Sequence, residues 1–201
     1  MSIKNAYCFD LDGTVTTEEI LPILSKDVDL HEEISALTTA TINGTIPFKE
    51  SFLLRCKLLS TIPVVKVHQI LEKIIFYKEI EKFIKSNNQN CYIVTGNLDI
   101  WIEPLIKKLN CNYFSSKGRF INDNLVIDYV INKGDAINEL RKKYEKIISI
   151  GDGMGDVQMF ENSDVSIAFG GTHEPVESVI KLSDYVTYND KTLCKLLNTQ
   201  L

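Results

Sequence analysis

Apolar residues fall along the chain in two rhythms. Short runs recur at "AYCFD" (6–10), "NCYIVTG" (90–96), "KIISIGDG" (146–153), "DVSIAFGG" (164–171) and "DYVTY" (184–188), with helical patterns between them. They are apolar nearly throughout, without strict alternation, which predicts strands buried on both faces of a parallel sheet. The fold class is therefore α/β. Three of the runs end in polar or glycine-rich stretches carrying Asp or Thr, and open α/β sheets bind ligands at the carboxyl ends of their strands.

The second rhythm fills the gap between the first two strands. "EEILPILS" (18–25), "LHEEISALTTATI" (30–42), "FKESFLLRCKLL" (48–59) and "PVVKVHQILEKII" (63–75) all place apolar residues at helical spacing. Asn43-Gly44 and Thr61 to Pro63 break the pattern, and Pro63 suits a first helical turn. Residues 16–77 read as a helical insertion, too long for an ordinary βα connection, and residues 1–15 with 78–201 form the core domain. Long excursions at the carboxyl edge of a sheet tend to be lids or specificity elements. Farther on, "GRFINDNLVIDYV" predicts a β-hairpin around Asn122 to Asn124.

Composition narrows the class. A chain of 201 residues suits one core domain with an insertion. A net charge of −5, with Lys and Arg scattered, argues against nucleic acid as a partner. No apolar h-region follows Met1 and no window reaches the roughly 20 apolar residues of a spanning helix, so the expectation is a cytoplasmic protein without a membrane partner. Five widely spaced cysteines give neither a zinc pattern nor a disulfide framework, and are expected to be reduced and mostly buried. His31, His68 and His173 form no local metal or triad spacing. The first two are expected on helix surfaces; His173, in "GGTHEP" after a strand, is a loop histidine, a kind more often structural or solvated than placed at a site edge.

Four stretches carry chemistry. Asp10-Leu11-Asp12-Gly13-Thr14 ends the first strand with two acids two residues apart, which strand alternation aims at one point. Like charges that close require a cation or a shared proton. Asp-Gly also marks hairpin turns, and a calcium loop is excluded because Val15 and Leu21 stand where glycine and glutamate are needed. Thr95-Gly96-Asn97 offers a hydroxyl and N–H groups between a strand and a helix starting near Leu98, which suits a phosphate or a plain N-cap. Lys133-Gly134-Asp135 opens another helix. "GDGMGD" (151–156) ends a strand with Asp152 and Asp156, and Asp156 excludes a dinucleotide fingerprint. Together these supply a carboxylate nucleophile, a neighbouring acid/base, oxygen ligands for magnesium and donors for phosphoryl oxygens.

In this order the four stretches resemble the motifs of the haloacid dehalogenase superfamily, and the resemblance covers nearly the whole chain. It implies a three-layer Rossmann-like core. The insertion resembles the small all-helical cap of phosphoserine phosphatases, at Glu19, Thr41 to Gly44, Phe48, Ser51, Arg55 and "LLSTIP". By resemblance, Asp10 would be the nucleophile and a Mg2+ ligand. Asp12 would protonate the leaving alkoxide and then activate water, its main-chain carbonyl also reaching the metal. Asp152 would be a further metal ligand and Asp156 its anchor. Thr95, Gly96 and Lys133 would hold the phosphoryl group, while Glu19 and Arg55 would recognise the substrate's charged end. The implied activity is magnesium-dependent hydrolysis of a small phosphorylated metabolite, phosphoserine or a similar amino-acid phosphate, by a monomer or homodimer.

Two departures stand out. Phosphoserine phosphatases usually show Ser-Gly-Gly and Gly-Asp-Gly-Ala-Asn-Asp, whereas this chain has Asn97 for a glycine and Gly155 for the asparagine. They put the substrate in question and keep open other phosphomonoesters and a weakly active binding member. A receiver-type phosphoacceptor shares the acids, Thr and Lys, but it lacks a helical insertion after the first acids.

Overall fold

Alternation within each buried strand decides which layer a side chain joins. The computed structural model describes residues 5–122 and 124–199. In β1 (Asn5–Phe9), Phe9 packs on one face of the sheet, with Ala6 and Cys8 on the other. β2 (Cys91–Leu98) divides the same way, Cys91 and Ile93 against Tyr92 and Val94. β3 (Asn112–Ile121), β4 (Asn124–Tyr129), β5 (Lys146–Gly151), β6 (Val165–Phe169) and β7 (Tyr185–Thr187) complete a seven-stranded sheet of order β4-β3-β2-β1-β5-β6-β7. Every pairing is parallel except β3 with β4.

Helices cover both faces. α1 (Ile20–Ser25), α2 (His31–Ile42), α3 (Phe48–Leu59) and α4 (Val64–Leu71) lie between β1 and β2, followed by α5 (Lys78–Ser86) and α6 (Asp99–Leu109). α7 (Lys133–Leu140), α8 (Val157–Glu161), α9 (Glu177–Leu182) and α10 (Asp190–Leu197) follow. Phe83 and Ile84 of α5, Trp101 and Leu105 of α6 and Leu193 of α10 share a core with Phe9. Ile137 of α7, Phe160 of α8 and Val179 of α9 share the other with Cys8. This is the three-layer α/β arrangement expected.

The first four helices leave and rejoin the core at one point. Thr16 and Phe76 form an antiparallel bridge, and the Tyr77 N–H donates to the Val15 carbonyl at 3.0 Å. Their apolar faces, including Leu24, Ile34, Phe52, Leu59 and Val67, run continuously into the core around Phe9.

Three details differ from the sequence expectation. β3 is one ten-residue strand whose first half pairs parallel with β2 and whose second half forms the hairpin with β4. The Asp123 position in that turn is outside the described residues. Pro63 is the N-cap of α4, not part of its first turn, and α4 ends at Leu71. β2 runs on to Leu98, so Thr95, Gly96 and Asn97 lie within its span. Thr95 pairs with Ser115 and Leu98 with Ser116, so Gly96 and Asn97 bulge from the ladder.

His31 and His68 are on helices as expected, but both have jobs. His31 Nδ1 lies 2.9 Å from the Pro22 carbonyl oxygen. Pro104 inside α6 has no N–H for the Ile100 carbonyl, and half-buried His68 supplies the missing donor through Nε2 at 2.8 Å. Among the described residues all five cysteines are free, four of them buried and Cys111 half-buried. No helix is long and apolar enough to cross a membrane among the described residues.

Candidate active site

The carboxyl ends of β1, β2 and β5, with the start of α7, meet under the inserted helices. The cavity they enclose, about 90 Å³, is lined by Asp10, Asp12, Gly96, Asn97, Lys133 and Asp152 from below and by Glu19, Phe48 and Arg55 from above. Phe48 closes the space over Gly96, its ring 2.3 Å from where a Cβ would stand, so a larger residue there would have to push the ring aside.

Lys133 opens α7 because Asn132 caps that helix, its side chain accepting from the Gly134 N–H at 2.9 Å. This aims the ammonium at two acids. Nζ donates to Asp10 Oδ1 at 2.6 Å and to Asp156 Oδ1 at 2.7 Å. Burial alone would depress the lysine's pKa, but the Asp10 and Asp156 carboxylates more than reverse this and hold it charged. Burial pushes the Asp10 pKa well up. Lys133 opposes that, while Asp156, Asp152 and Asp12 add to it.

Asp12 sits past the strand end, in a turn with left-handed Gly13 at φ 68°. No two-residue hairpin forms there; the Val15 and Thr16 N–H groups both donate to the Leu11 carbonyl at 2.9 Å. Oδ1 of Asp12 accepts from the Ile20 N–H at 2.9 Å and Oδ2 from the Asn97 side-chain amide. Burial, then Glu19, push its pKa up to about 7 against the Ile20 hydrogen bond.

Asp156 is fully engaged elsewhere. Besides Lys133, it accepts from the backbone N–H groups of Asp152 and Gly153 at 2.9 and 3.1 Å, folding the loop after β5. Asp152 is thereby held over the cavity, with Thr14 donating to its Oδ1 at 2.8 Å. Burial raises its pKa to about 6, His173 working against it.

Thr95 lies behind the cavity wall. Its hydroxyl accepts from the Asn97 backbone N–H at 3.2 Å and is fully buried, whereas Gly96 and Asn97 reach the cavity. Arg55, 5% exposed, donates to Thr38 Oγ1 at 2.9 Å and to the Ser51 carbonyl at 3.4 Å. No carboxylate of the described residues lies within ion-pair distance of it. Burial lowers its pKa, with Asp12 and Glu19 opposing. Glu19 lines the same cavity, but its Oε1 also lies 3.5 Å from His173 Nε2.

Three contacts have no signal in local sequence: Asn97 on Asp12, Thr14 on Asp152, and His173 beside both Asp152 and Glu19. His173, read from the sequence as a loop histidine more often structural or solvated than at the site edge, stands 2.7 Å from Asp152 Oδ2.

The family model for haloacid dehalogenase-like hydrolases matches residues 8–161, which include all four motif stretches. The chain belongs to that family. Among its relatives, phosphoserine phosphatase of Methanocaldococcus jannaschii is 26% identical over 83% of this chain and 85% of the relative. Phosphoserine phosphatase of Archaeoglobus fulgidus is 28% identical over 83% of this chain and 52% of its own length. In three dimensions, the phospho-aspartyl intermediate analogue of a phosphoserine phosphatase superposes with a TM-score of 0.83 at 22% identity, covering 98% of this chain and 99% of the other. That similarity establishes the family's fold here.

The donor set also suits the family's ion. Asp10, Asp152 and Asp156 each offer a carboxylate oxygen within 4.8 Å of the others. Burial raises the pKa values of Asp10 and Asp152, two oxygen donors that a hard divalent cation would relieve, while both Asp156 oxygens are already taken by Lys133 and the loop amides.

Proposed function

We propose that this enzyme hydrolyses a small phosphomonoester through a phosphoryl group carried on Asp10, and that phosphoserine or a similar amino-acid phosphate is the substrate. The observation that carries the reaction is Lys133, which binds only one oxygen of Asp10 and ties it to the loop bearing Asp152. Oδ2 of Asp10 is left to attack.

In the first step a bond forms from Asp10 to phosphorus and the bond from phosphorus to the ester oxygen breaks. Asp12 gives its proton to that oxygen as it leaves. In the second step Asp12 takes a proton from water, whose oxygen attacks phosphorus. The Asp10–phosphorus bond breaks and inorganic phosphate departs. A pKa near 7 lets one carboxyl both give and take the proton. The Ile20 N–H and Asn97 amide fix its plane between the two events.

Lys133 and the Gly96 N–H would hold the phosphoryl oxygens, and Thr95 supports the bulge from behind by accepting from the Asn97 N–H. Asp10, the Asp12 carbonyl and Asp152 would hold Mg2+, with Asp156 anchoring the loop; the ion supplies charge neutralisation for the phosphoryl group. Residues 16–77 act as the cap. Within it, Arg55 is a buried cation with no carboxylate partner among the described residues, which suits a carboxylate on the substrate.

The test is labelling. Asp10→Asn should abolish both turnover and covalent capture of substrate phosphate. Retention of more than a few per cent of wild-type kcat, once deamidation back to Asp is excluded, would rule out this nucleophile.

A further inference from the structure

The reaction above uses only one arm of the Asn97 amide. Nδ2 donates to Asp12 Oδ2 and, more weakly, to Thr95 Oγ1 at 3.4 Å. The backbone N–H of the same residue donates to that hydroxyl at 3.2 Å, so the bulge and the amide plane are held together. The other arm, Oδ1, is buried and has no hydrogen-bond partner among the described residues. Asn97 as a whole is 5% exposed and lines the catalytic cavity. An amide carbonyl shut away from water without a donor is costly, and native structures leave few of them.

The cations lining the cavity do not relieve it. Lys133 is committed to Asp10 and Asp156, and Arg55 to Thr38 and the Ser51 carbonyl. A ligand filling the cavity can bring the donor, and position narrows where that donor sits. Oδ1 and Nδ2 share one amide carbon and stand about 2.2 Å apart. Nδ2 is hydrogen-bonded to the carboxyl that faces the ester oxygen in the reaction proposed above, so a group meeting Oδ1 lies close to that oxygen. The carbon next to the ester carbon is the place on a small ester that satisfies this. Charge narrows the donor further. Asp10, Asp12, Glu19, Asp152 and Asp156 line the cavity against Lys133 and Arg55, which favours an ammonium over a neutral hydroxyl.

We infer that Asn97 is a specificity-determining residue whose Oδ1 accepts from an ammonium on the carbon adjacent to the ester carbon. The class selected is the phosphates of vicinal amino alcohols, to which phosphoserine and phosphoethanolamine both belong. This rests on the phosphomonoester reading and narrows its substrate. It also divides the work within the cavity, since Arg55 faces a carboxylate that phosphoethanolamine lacks, whereas Asn97 serves both esters. An ester without the ammonium leaves Oδ1 buried and unpaired, and sites with such a group discriminate against the ligand that fails to fill it.

The test compares esters that differ only in the ammonium: phosphoserine with its deamino analogue, and phosphoethanolamine with ethyl phosphate. All use Asp10, Asp12 and Lys133. Asn97→Gly and Asn97→Leu remove the arm on Asp12 for every ester, but remove the Oδ1 contact only for those with the ammonium. In each variant the ratio of kcat/KM within both pairs should fall by roughly 10- to 150-fold, the effect of one hydrogen bond to a charged group. Ratios that stay constant while all rates drop together would overturn the inference, the result expected if Asn97 serves Asp12 alone or if Oδ1 meets only water. Wild type that prefers neither ammonium ester over its partner would overturn it without any variant. A selective loss for glycerol phosphate and none for phosphoserine would overturn the choice of ammonium over hydroxyl. Binding separates this from the reaction itself. Asp10→Asn protein, titrated calorimetrically, should hold phosphoserine more tightly than the deamino analogue, and adding Asn97→Gly should shrink that preference by the same factor. Selective binding that depends on Asn97 without turnover in the wild type would refute the hydrolysis and keep the recognition, whereas turnover indifferent to Asn97 would do the reverse.

Discussion

Arg55→Met would take a buried guanidinium out of the cavity while keeping much of its stem. In the free enzyme that cation is held by Thr38 Oγ1 and the Ser51 carbonyl, neutral acceptors, and burial already lowers its pKa. Removing it relieves a desolvated charge and forfeits about one ordinary hydrogen bond of 0.5–1.5 kcal/mol. The two effects oppose, so the melting temperature should move by only a few degrees. Activity should not be spared. A hydrogen bond to a charged group contributes about 1.5–3 kcal/mol, so kcat/KM for phosphoserine should fall by roughly 10- to 150-fold. Hydrolysis of p-nitrophenyl phosphate, which has no carboxylate for Arg55, should change by less than about threefold on the same reasoning. Both substrates use Asp10 and Lys133, so damage to the core of the site would depress both. Equal losses on the two substrates would mean that Arg55 acts only by holding α2 against α3. Unchanged phosphoserine kinetics would remove it from recognition altogether.

Asp12→Asn should still capture phosphate on Asp10 from an activated ester but lose about 10²- to 10⁴-fold in kcat for an alkyl ester; unchanged alkyl-ester turnover would exclude Asp12 as the acid/base. Thr14→Val removes the donor to Asp152 Oδ1, and by the usual effect of a lost ligand-orienting partner should weaken Mg2+ by about 10- to 100-fold, read as a rise in the Mg2+ concentration for half-maximal turnover. Gly155→Asn should fold without penalty, since a Cβ there meets nothing within 4 Å. It should raise kcat/KM for phosphoserine by up to about tenfold, the value of one added hydrogen bond; a fall would show that glycine at this position fits the true substrate better. Burial pushes the Cys56, Cys111 and Cys194 thiols up to about 12, and the thiolate is the reactive form. Iodoacetamide at neutral pH should therefore label them slowly until the chain is unfolded; fast labelling of the folded protein would contradict this.

The layers and the four motif stretches were readable because their cause is local. A strand buried on both faces must be apolar almost throughout, and β1, β2, β5 and β6 are. Their polar ends then announce the carboxyl edge. β3 escaped because its start, Asn112 and Tyr113, is exposed while Ser115 and Ser116 are buried, so its parallel half carries no apolar run. The Thr95–Asn97 bulge escaped for a related reason. Its residues look like a loop, but their register is set by Ser115 and Ser116 on the neighbouring strand. Contacts that tune the site were beyond any local pattern: Asn97 meets Asp12 across 85 positions and Thr14 meets Asp152 across 138.

Four aspartates in one buried cavity would be interchangeable by residue type, and the hydrogen bonds around them are what make them differ. Asp156 has donors on both oxygens from Lys133 and two backbone amides, so it is spent on holding the loop. Asp12 also has donors on both, but burial and Glu19 offset them and leave its pKa near neutrality, where a proton can come and go. Asp10 receives Lys133 on one oxygen only, which orients the carboxylate and leaves free the oxygen that the proposed reaction uses for attack. Asp152 is held by Thr14 on one oxygen and pairs with His173 on the other. On this reasoning the departure at Asn97 does not disable the acid/base. It replaces a bare glycine with a side chain that fixes the Asp12 carboxylate, and leaves its own Oδ1 buried at the cavity wall without a partner among the described residues, where a donor on the substrate can meet it.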